Sequence, residues 1–277
     1  MNFLLVMIKI MSHKWQGKAN SISKSEVKNI LENKNYKLLQ GDCLELMKDI
    51  QDKSIDMILC DLPYGTTSCK WDSVIPFESL WEQYNRIIKD NGAVLLFGSE
   101  PFSSYLRMSN IKNYKYDWKW DKVVGSNFVQ AKKQPLRIYE DICVFYKKQP
   151  TYNPQMTERD KKNERPAKKK SVNNIINMVC EDEGTRNKKK YPVNKIEYNR
   201  LSGELNSSKI LHPCQKPIAI LDYLIKTYTT DGEVILDNCM GSGSTGVAAL
   251  NINRKFIGME LDEKYFQIAE KRIQDIV

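Results

Sequence analysis

Two short stretches of the chain hold residue types whose spacing could do chemistry. Asp237-Asn238-Cys239-Met240-Gly241-Ser242-Gly243-Ser244-Thr245-Gly246 follows the apolar run Val234-Ile235-Leu236 and leads into a segment rich in Val and Ala. Glycines at a strand-to-helix turn let a ligand approach the backbone closely, with amide donors and a helix N-terminus facing it. Glu260 lies 23 positions after Asp237, at the end of the next apolar run. A carboxylate there can take both hydroxyls of a ribose. A tight turn alone would account for the glycines; the turn together with the acid points to a nucleoside cofactor. There is no GKS/T phosphate loop, which counts against ATP hydrolysis, and the spacing departs from the GxGxxG of NAD sites.

The second stretch is Asp61-Leu62-Pro63-Tyr64, which closes the run Asp56-Met57-Ile58-Leu59-Cys60. An acid and an aromatic flanking a proline at the carboxyl edge of a sheet stand where α/β enzymes place ligands. An ordinary turn after a strand would look the same.

The elements that must position these motifs are legible as alternation. Apolar runs of strand length fall at 36–40, 55–60, 93–97, 115–121, 141–146, 234–237 and 256–260. Segments with apolar residues at three- and four-residue spacing lie between many of them, at 44–50, 77–88, 101–108, 217–228, 244–250 and 263–276. Strands alternating with helices predict an α/β domain around a mostly parallel, seven-stranded sheet. The alternation fails between about 150 and 208, where prolines and lysine runs (168–170, 188–190) replace periodicity. This divides the chain into an N-terminal extension (1–34), a first half-domain (35–150), a basic insertion (151–208) and a second half-domain (209–277). Ser23 or Ser25 could cap a helix running through Leu31 in the extension.

Charge follows the same division. The chain carries a net charge of +9, and 147–200 alone holds 15 Lys/Arg against 7 Asp/Glu. A basic block confined to one segment suits a polyanion, most obviously nucleic acid, and a solvated insertion without a partner would look alike. Seven scattered cysteines with no CxxC pair, and only His13 and His212 beside them, predict neither a metal site nor a disulfide framework. Two histidines also make a serine-hydrolase or zinc-hydrolase reading poor. No apolar stretch approaches the ~20 residues of a membrane span. The apolar residues 3–11 lack a basic lead-in and a cleavage site, so no secretory leader and a cytoplasmic location are expected, with Met7 or Met11 as alternative starts.

Taken together, these motifs resemble one family, the DNA amino-methyltransferases of the β class, which use S-adenosylmethionine. Asp61-Leu62-Pro63-Tyr64 looks like their catalytic DPPY, and 237–245 like the cofactor loop DPFxGSGTT, with Glu260 as the acid that follows it. His212-Pro213-Cys214-Gln215-Lys216-Pro217 is similar to the HPTQKP segment that precedes that loop, and Gly41-Asp42-Cys43 to the family's GD element. The stretches 66–71, 119–122 and 137–146 read like site-specific methyltransferases carried by bacteriophages and prophages. The resemblance runs from about residue 36 to the C-terminus. It implies a Rossmann-like methyltransferase fold with circularly permuted motif order (catalytic motif first, cofactor loop last) and the basic insertion as a target-recognition region.

By that resemblance Asp61, Leu62, Pro63 and Tyr64 are the catalytic set. Asp42, Asp61, Lys216, Asp237, Asn238, Gly241, Gly243, Ser244, Thr245 and Glu260 are the S-adenosylmethionine set, with no metal and no membrane. The partner is double-stranded DNA, the setting is restriction–modification, and a homodimer is allowed. Leu62 replaces the family's first proline, whose carbonyl receives the target amine, and leucine keeps that carbonyl. Asn238-Cys239-Met240 replaces Pro-Phe-x. Trp71, Trp81, Trp118 and Trp120 read as core or lining, and Cys239 as packing. The Asp-led motif favours N6 of adenine over N4 of cytosine. A degenerate DNA-binding relative, or methylation of RNA or a protein glutamine, stays as the alternative.

Overall fold

The computed structural model describes residues 35–65, 73–159, 171–173, 178–180, 188–199 and 215–277, with 171–173 and 178–180 as backbone only. The expected N-terminal helix, His212, Trp71 and the lysines 168–170 lie outside the described residues.

An eight-stranded sheet runs through the molecule in the order β1 (Tyr36–Gln40), β12 (Lys255–Glu260), β11 (Val234–Asp237), β2 (Ile55–Cys60), β3 (Ile88–Gly98), β5 (Arg137–Phe145), β4 (Tyr114–Ser126), β10 (Lys195–Glu197). Every neighbouring pair is parallel except the two made by β5, which alone runs against the others. All seven anticipated strands are present. The eighth, β10, comes from the supposed insertion and pairs with β4 through Lys195–Glu197. Three residues with alternating exposure carry too little apolar pattern to be read as a strand without their partner.

The sheet is covered on both sides, which is why its central strands are almost continuously apolar. Along β2, Met57 and Leu59 face one core with Ile220, Leu224, Val247 and Ala269; Ile58 and Cys60 face another with Met47, Leu80, Tyr84 and Leu106. The first core belongs to α4 (Ile218–Tyr228), α5 (Ser244–Asn251) and α6 (Glu263–Gln274), the second to α1 (Cys43–Met47), α2 (Phe77–Ile87) and α3 (Phe102–Ser109). The three described tryptophans of the sequence reading, Trp81, Trp118 and Trp120, are buried.

The segment after residue 150 is tied to this framework and is not simply appended to it. The Asn153 amide donates to Thr227 O at 2.7 Å, its side-chain amide to the Lys226 and Thr229 carbonyls, and Tyr152 packs edge-on against Tyr228. Two short ladders follow, β6 (Thr157–Glu158) with β9 (Lys189–Lys190) and β7 (Ser171–Asn173) with β8 (Met178–Cys180).

Connections leave the carboxyl ends of β11 and β2 in opposite directions. After β11 the chain passes through α5 to β12 on one side; after β2 it passes through α2 to β3 on the other. Adjacent strands whose continuations diverge leave a crevice at their carboxyl ends, the usual ligand site of an open α/β sheet. Both chemical motifs sit there.

Gly246, in α5, lies so close to β12 and α6 that an added Cβ would come within 2.6 Å of Phe256 Cε1 and Ile273 Cδ1. Gly246→Ala is therefore expected to lose about 1–3 kcal/mol by overpacking, more than the ~1 kcal/mol that alanine gains in helix propensity. Urea denaturation checks this through a lower midpoint at unchanged slope.

Candidate active site

The crevice holds a cavity of about 500 Å³. Its walls come from the ends of five parallel strands and from the entrance of the reversed one: Asp42 after β1, Asp61–Tyr64 after β2, Trp120, Lys122 and Ser126 on β4, Glu140 on β5, the turn after β11, and Glu260 closing β12. Asp42, Asp61, Leu62, Pro63, Tyr64, Lys216, Asp237, Asn238, Gly241, Ser244, Thr245 and Glu260 all line it. Gly243 does not. It caps α5 with φ +79°, and a Cβ there would meet Ala269 at 3.0 Å. Gly243 thus shapes the turn and lets α6 approach.

The turn is built around the acid of the next strand. Gly241, at φ +52°, donates its amide to Glu260 Oε2 at 2.8 Å, and Asp262 donates its amide to Oε1 at 2.9 Å. The Leu261 amide bonds the same carboxylate, which offers about four acceptor sites in all. Burial raises the Glu260 carboxyl above its usual range, against the pull of these amides. Asp237 is more deeply set, and burial pushes its carboxyl up to about 6, opposed by hydrogen bonds from the Thr245 hydroxyl, the Cys239 amide and the Cys60 thiol. From α6, Arg272 fastens the turn by donating to Ser242 O and Ser244 Oγ. Asp42 accepts from the Leu44 amide at 2.8 Å and so opens α1 while facing the cavity.

Across the crevice, Asp61 is held from both sides. Lys216 Nζ lies 2.5 Å from Oδ2, and the Tyr64 hydroxyl donates to Oδ1 at 2.7 Å. The Tyr64 ring is backed by Phe102, with centroids 4.9 Å apart and planes at 28°. Leu62 turns its side chain into the core under α1–α3, 3% exposed. Burial anchors this loop where a proline ring would stiffen it, and Pro63 still keeps residue 62 out of the helical region.

In the sequence Lys216 stands only as a cofactor residue, and Lys122 and Glu140 only as members of stretches that resemble the family. Lys216 also pairs with Glu140 at 3.5 Å, and Lys122 binds the other oxygen of Glu140 at 3.1 Å and Ser126 Oγ at 3.1 Å. Burial acts to raise the Glu140 carboxyl, but the charges of Lys216 and Lys122 outweigh it and hold the group below its usual range. An acid at the entrance of the apolar run 142–145, inside the family-like stretch 137–146, was the local signal. Asn238, where the resemblance expects proline, accepts from the Tyr84 hydroxyl at 2.5 Å and lies 3.5 Å from both Cys43 Sγ and Cys239 Sγ. Polar contacts across three elements replace the rigidity of a ring. The Cys60 thiol is pushed up to about 12, chiefly by burial, which suits packing and not nucleophilic attack.

Among the described residues, no group of three or more His, Cys, Asp or Glu could hold a metal ion, and no helix is long and apolar enough to cross a membrane. The cavity instead gathers Asp42, Asp61, Asp237, Glu140 and Glu260 against Lys122 and Lys216. That surplus of carboxyls, with ribose-type acceptors at Glu260, fits a nucleoside ligand that is itself cationic.

Residues 55–271 match the model of the DNA methylase family that acts on N6 and N4 amines, and the chain belongs to that family. The chain is 27% identical over 252 residues to the DNA adenine methyltransferase YhdJ of Escherichia coli K12, covering 85% of this chain and 82% of that protein. It is 24% identical to the Type II methyltransferase M.HpaI of Haemophilus parainfluenzae, covering 86% and 74%. Similar solved structures include the M1.HpyAVI–SAM complex (TM-score 0.58, 24% identity, covering 86% of this chain and 98% of that one). The cytosine-N4-specific PvuII DNA methyltransferase is another (TM-score 0.60, 16% identity, covering 88% and 91%). At these identities the two structures speak for the fold.

Asp237 generates a pH prediction. Its folded pKa of about 6 lies above the ~3.9 of an unfolded aspartate, so the fold favours the protonated form. The stability it contributes is complete below about pH 4 and is lost as the pH rises through about 6. Wild type should therefore lose unfolding free energy relative to Asp237→Asn between pH 4 and 7, and the difference should level off above. Denaturant titrations of both proteins across that range check the sign.

Proposed function

We propose that this member of the DNA methylase family is a site-specific DNA methyltransferase that transfers a methyl group from S-adenosylmethionine to N6 of a flipped-out adenine. One observation carries the reading: the Asp61–Tyr64 loop and the turn that begins at Asp237 open on the same cavity, from adjacent strands with diverging connections. Permuted motif order follows naturally, since the cofactor turn is last in the chain yet central in the sheet.

Bound in the cavity, S-adenosylmethionine supplies a sulfonium methyl as electrophile. Glu260 would hold the ribose and Asp42 the adenine, and the carboxyl-rich lining would favour the positive sulfonium. On the substrate side, the adenine amine is a poor nucleophile because its lone pair is delocalised into the ring. Asp61 and the Leu62 carbonyl accept its N–H groups and draw the lone pair out of conjugation. Tyr64, stiffened from behind by Phe102, offers the stacking face. Lys216 and the Tyr64 hydroxyl fix where the Asp61 carboxylate points, so catalysis is mainly orientation and electrostatic placement. No strong base is needed, because the amine acidifies as it is methylated. A base inside a duplex cannot reach this cavity, so the target nucleotide must leave the stack.

Adenine is supported by the Asp-led motif and by the adenine specificity named for the Escherichia coli relative. The Type II relatives support a restriction–modification setting. The basic segment 151–208 serves as a target-recognition region in this reading, its lysines contacting phosphates.

Asp61→Ala should abolish methyl transfer while cofactor affinity by calorimetry largely persists; a variant keeping most of the wild-type rate would overturn the mechanism. Glu260→Ala should do the reverse, weakening S-adenosylmethionine by about 2 kcal/mol, roughly 30-fold.

A further inference from the structure

The hairpin joining β4 to β5 stands at the mouth of the cavity and is built unlike the rest of the surface. Pairing runs to Asp121↔Tyr139 and resumes only at Ser126↔Arg137, so four residues on β4 face one on β5. Such a bulge re-aims side chains, commonly beside active sites. It is held in place: the Asp121 carboxylate accepts the Val123 amide at 2.9 Å and pairs with Lys195 at 2.7 Å, and Ser126 Oγ donates to Arg137 O at 3.0 Å. Val123 sits at φ +67°, a conformation that a β-branched residue adopts only under constraint. Beyond the bulge, Asn127 at φ +70° leads into a single 3-10 turn, Phe128–Gln130.

That turn presents apolar side chains to solvent. Val129 is 93% exposed, Phe128 64% and Val124 56%, although scattered exposed apolar residues are ordinary and a cluster is not. Residues 122–139 contain Lys122, Lys132, Lys133 and Arg137 and no acid at all, and the last three of these bases are exposed. Lys122 and Ser126, at the root of the same hairpin, line the cavity.

We propose that this hairpin is a wedge for duplex DNA: Phe128 and Val129 enter the base stack at the gap left by the target nucleotide, while Lys132, Lys133 and Arg137 hold the flanking phosphates. The proposal rests on the methyltransferase reading above. Apolar side chains between base steps, with basic residues on the backbone, offset the cost of unstacking a nucleotide. An apolar tip beside exposed bases, with no acid between 122 and 139, fits that polyanion better than a second copy of the chain, and its root in the cavity wall puts it beside the base that must move.

The test starts from the methylated site, found by base-resolution mapping of DNA from cells expressing the full chain. A duplex with 2-aminopurine at the target position then reports flipping by fluorescence, and the natural duplex reports kcat/KM. Phe128→Ala/Val129→Ala should lose most of the fluorescence rise and at least tenfold in kcat/KM, with S-adenosylmethionine affinity unchanged. An abasic site opposite the target adenine should restore its rate to within about threefold of wild type, because the unpairing cost is then gone. A double variant that flips and methylates like wild type overturns the wedge, as does a loss the abasic duplex fails to rescue. Conversion of a wild-type dimer to a monomer by sedimentation, with flipping intact, would assign the patch to self-association instead. If wild type methylates no adenine, the reading of function fails first and the wedge with it.

Discussion

Parallel pairing of β11 with β2, through Ile235↔Met57 and Leu236↔Ile58, is the contact on which the site depends. Those strands belong to opposite ends of the chain, and their continuations wind away from each other on the sheet. The crevice between their carboxyl ends exists because no connection fills it. A slip of one residue in this register would turn Met57 and Leu59 toward the wrong core and move Asp61 off the cavity wall. Two dry cores, one on each face, make such a slip costly.

Given that crevice, the problem is electrostatic. Five carboxyls face one cavity, and buried charges are expensive unless they are paired or hydrogen-bonded. The structure resolves the cost differently on the two sides. Around the turn, backbone amides serve Glu260 and Asp237, and burial still leaves both carboxyls raised. Around Asp61, lysines do the work: Lys216 bridges Asp61 and Glu140, and Lys122 completes the set. The first arrangement leaves unmet demand for positive charge, the second orients an acceptor. The proposed function sets a cationic cofactor against the first and a neutral amine against the second.

The departures from the family pattern gain a physical account here. Leu62 trades the stiffness of a ring for burial, and Asn238 trades it for contacts to Tyr84, Cys43 and Cys239. Both replacements argue against a site that has decayed, since each lost constraint is met by another of comparable kind.

The sequence by itself determined the seven long strands, the helices between them, and the two motifs, because each of these is a local pattern: period-two or period-3.6 burial, a glycine turn, an acid at a strand end. It also separated Asp61 and Tyr64 from Asp237 and Glu260 as two kinds of chemistry. Tertiary structure alone decided which side chains complete them. Lys216 reaches Asp61 across 155 positions, and Glu140 and Lys122 show no pairing in the sequence until β5 runs backward beside β4. The closeness of Gly243 to α6 is of the same kind, since the packing of α6 decides it. The three-residue strand β10 and the apolar tip at Phe128 and Val129 carry no periodicity of their own. Their meaning lies in what they stand beside, and spatial neighbours far apart in the chain leave no trace in local spacing.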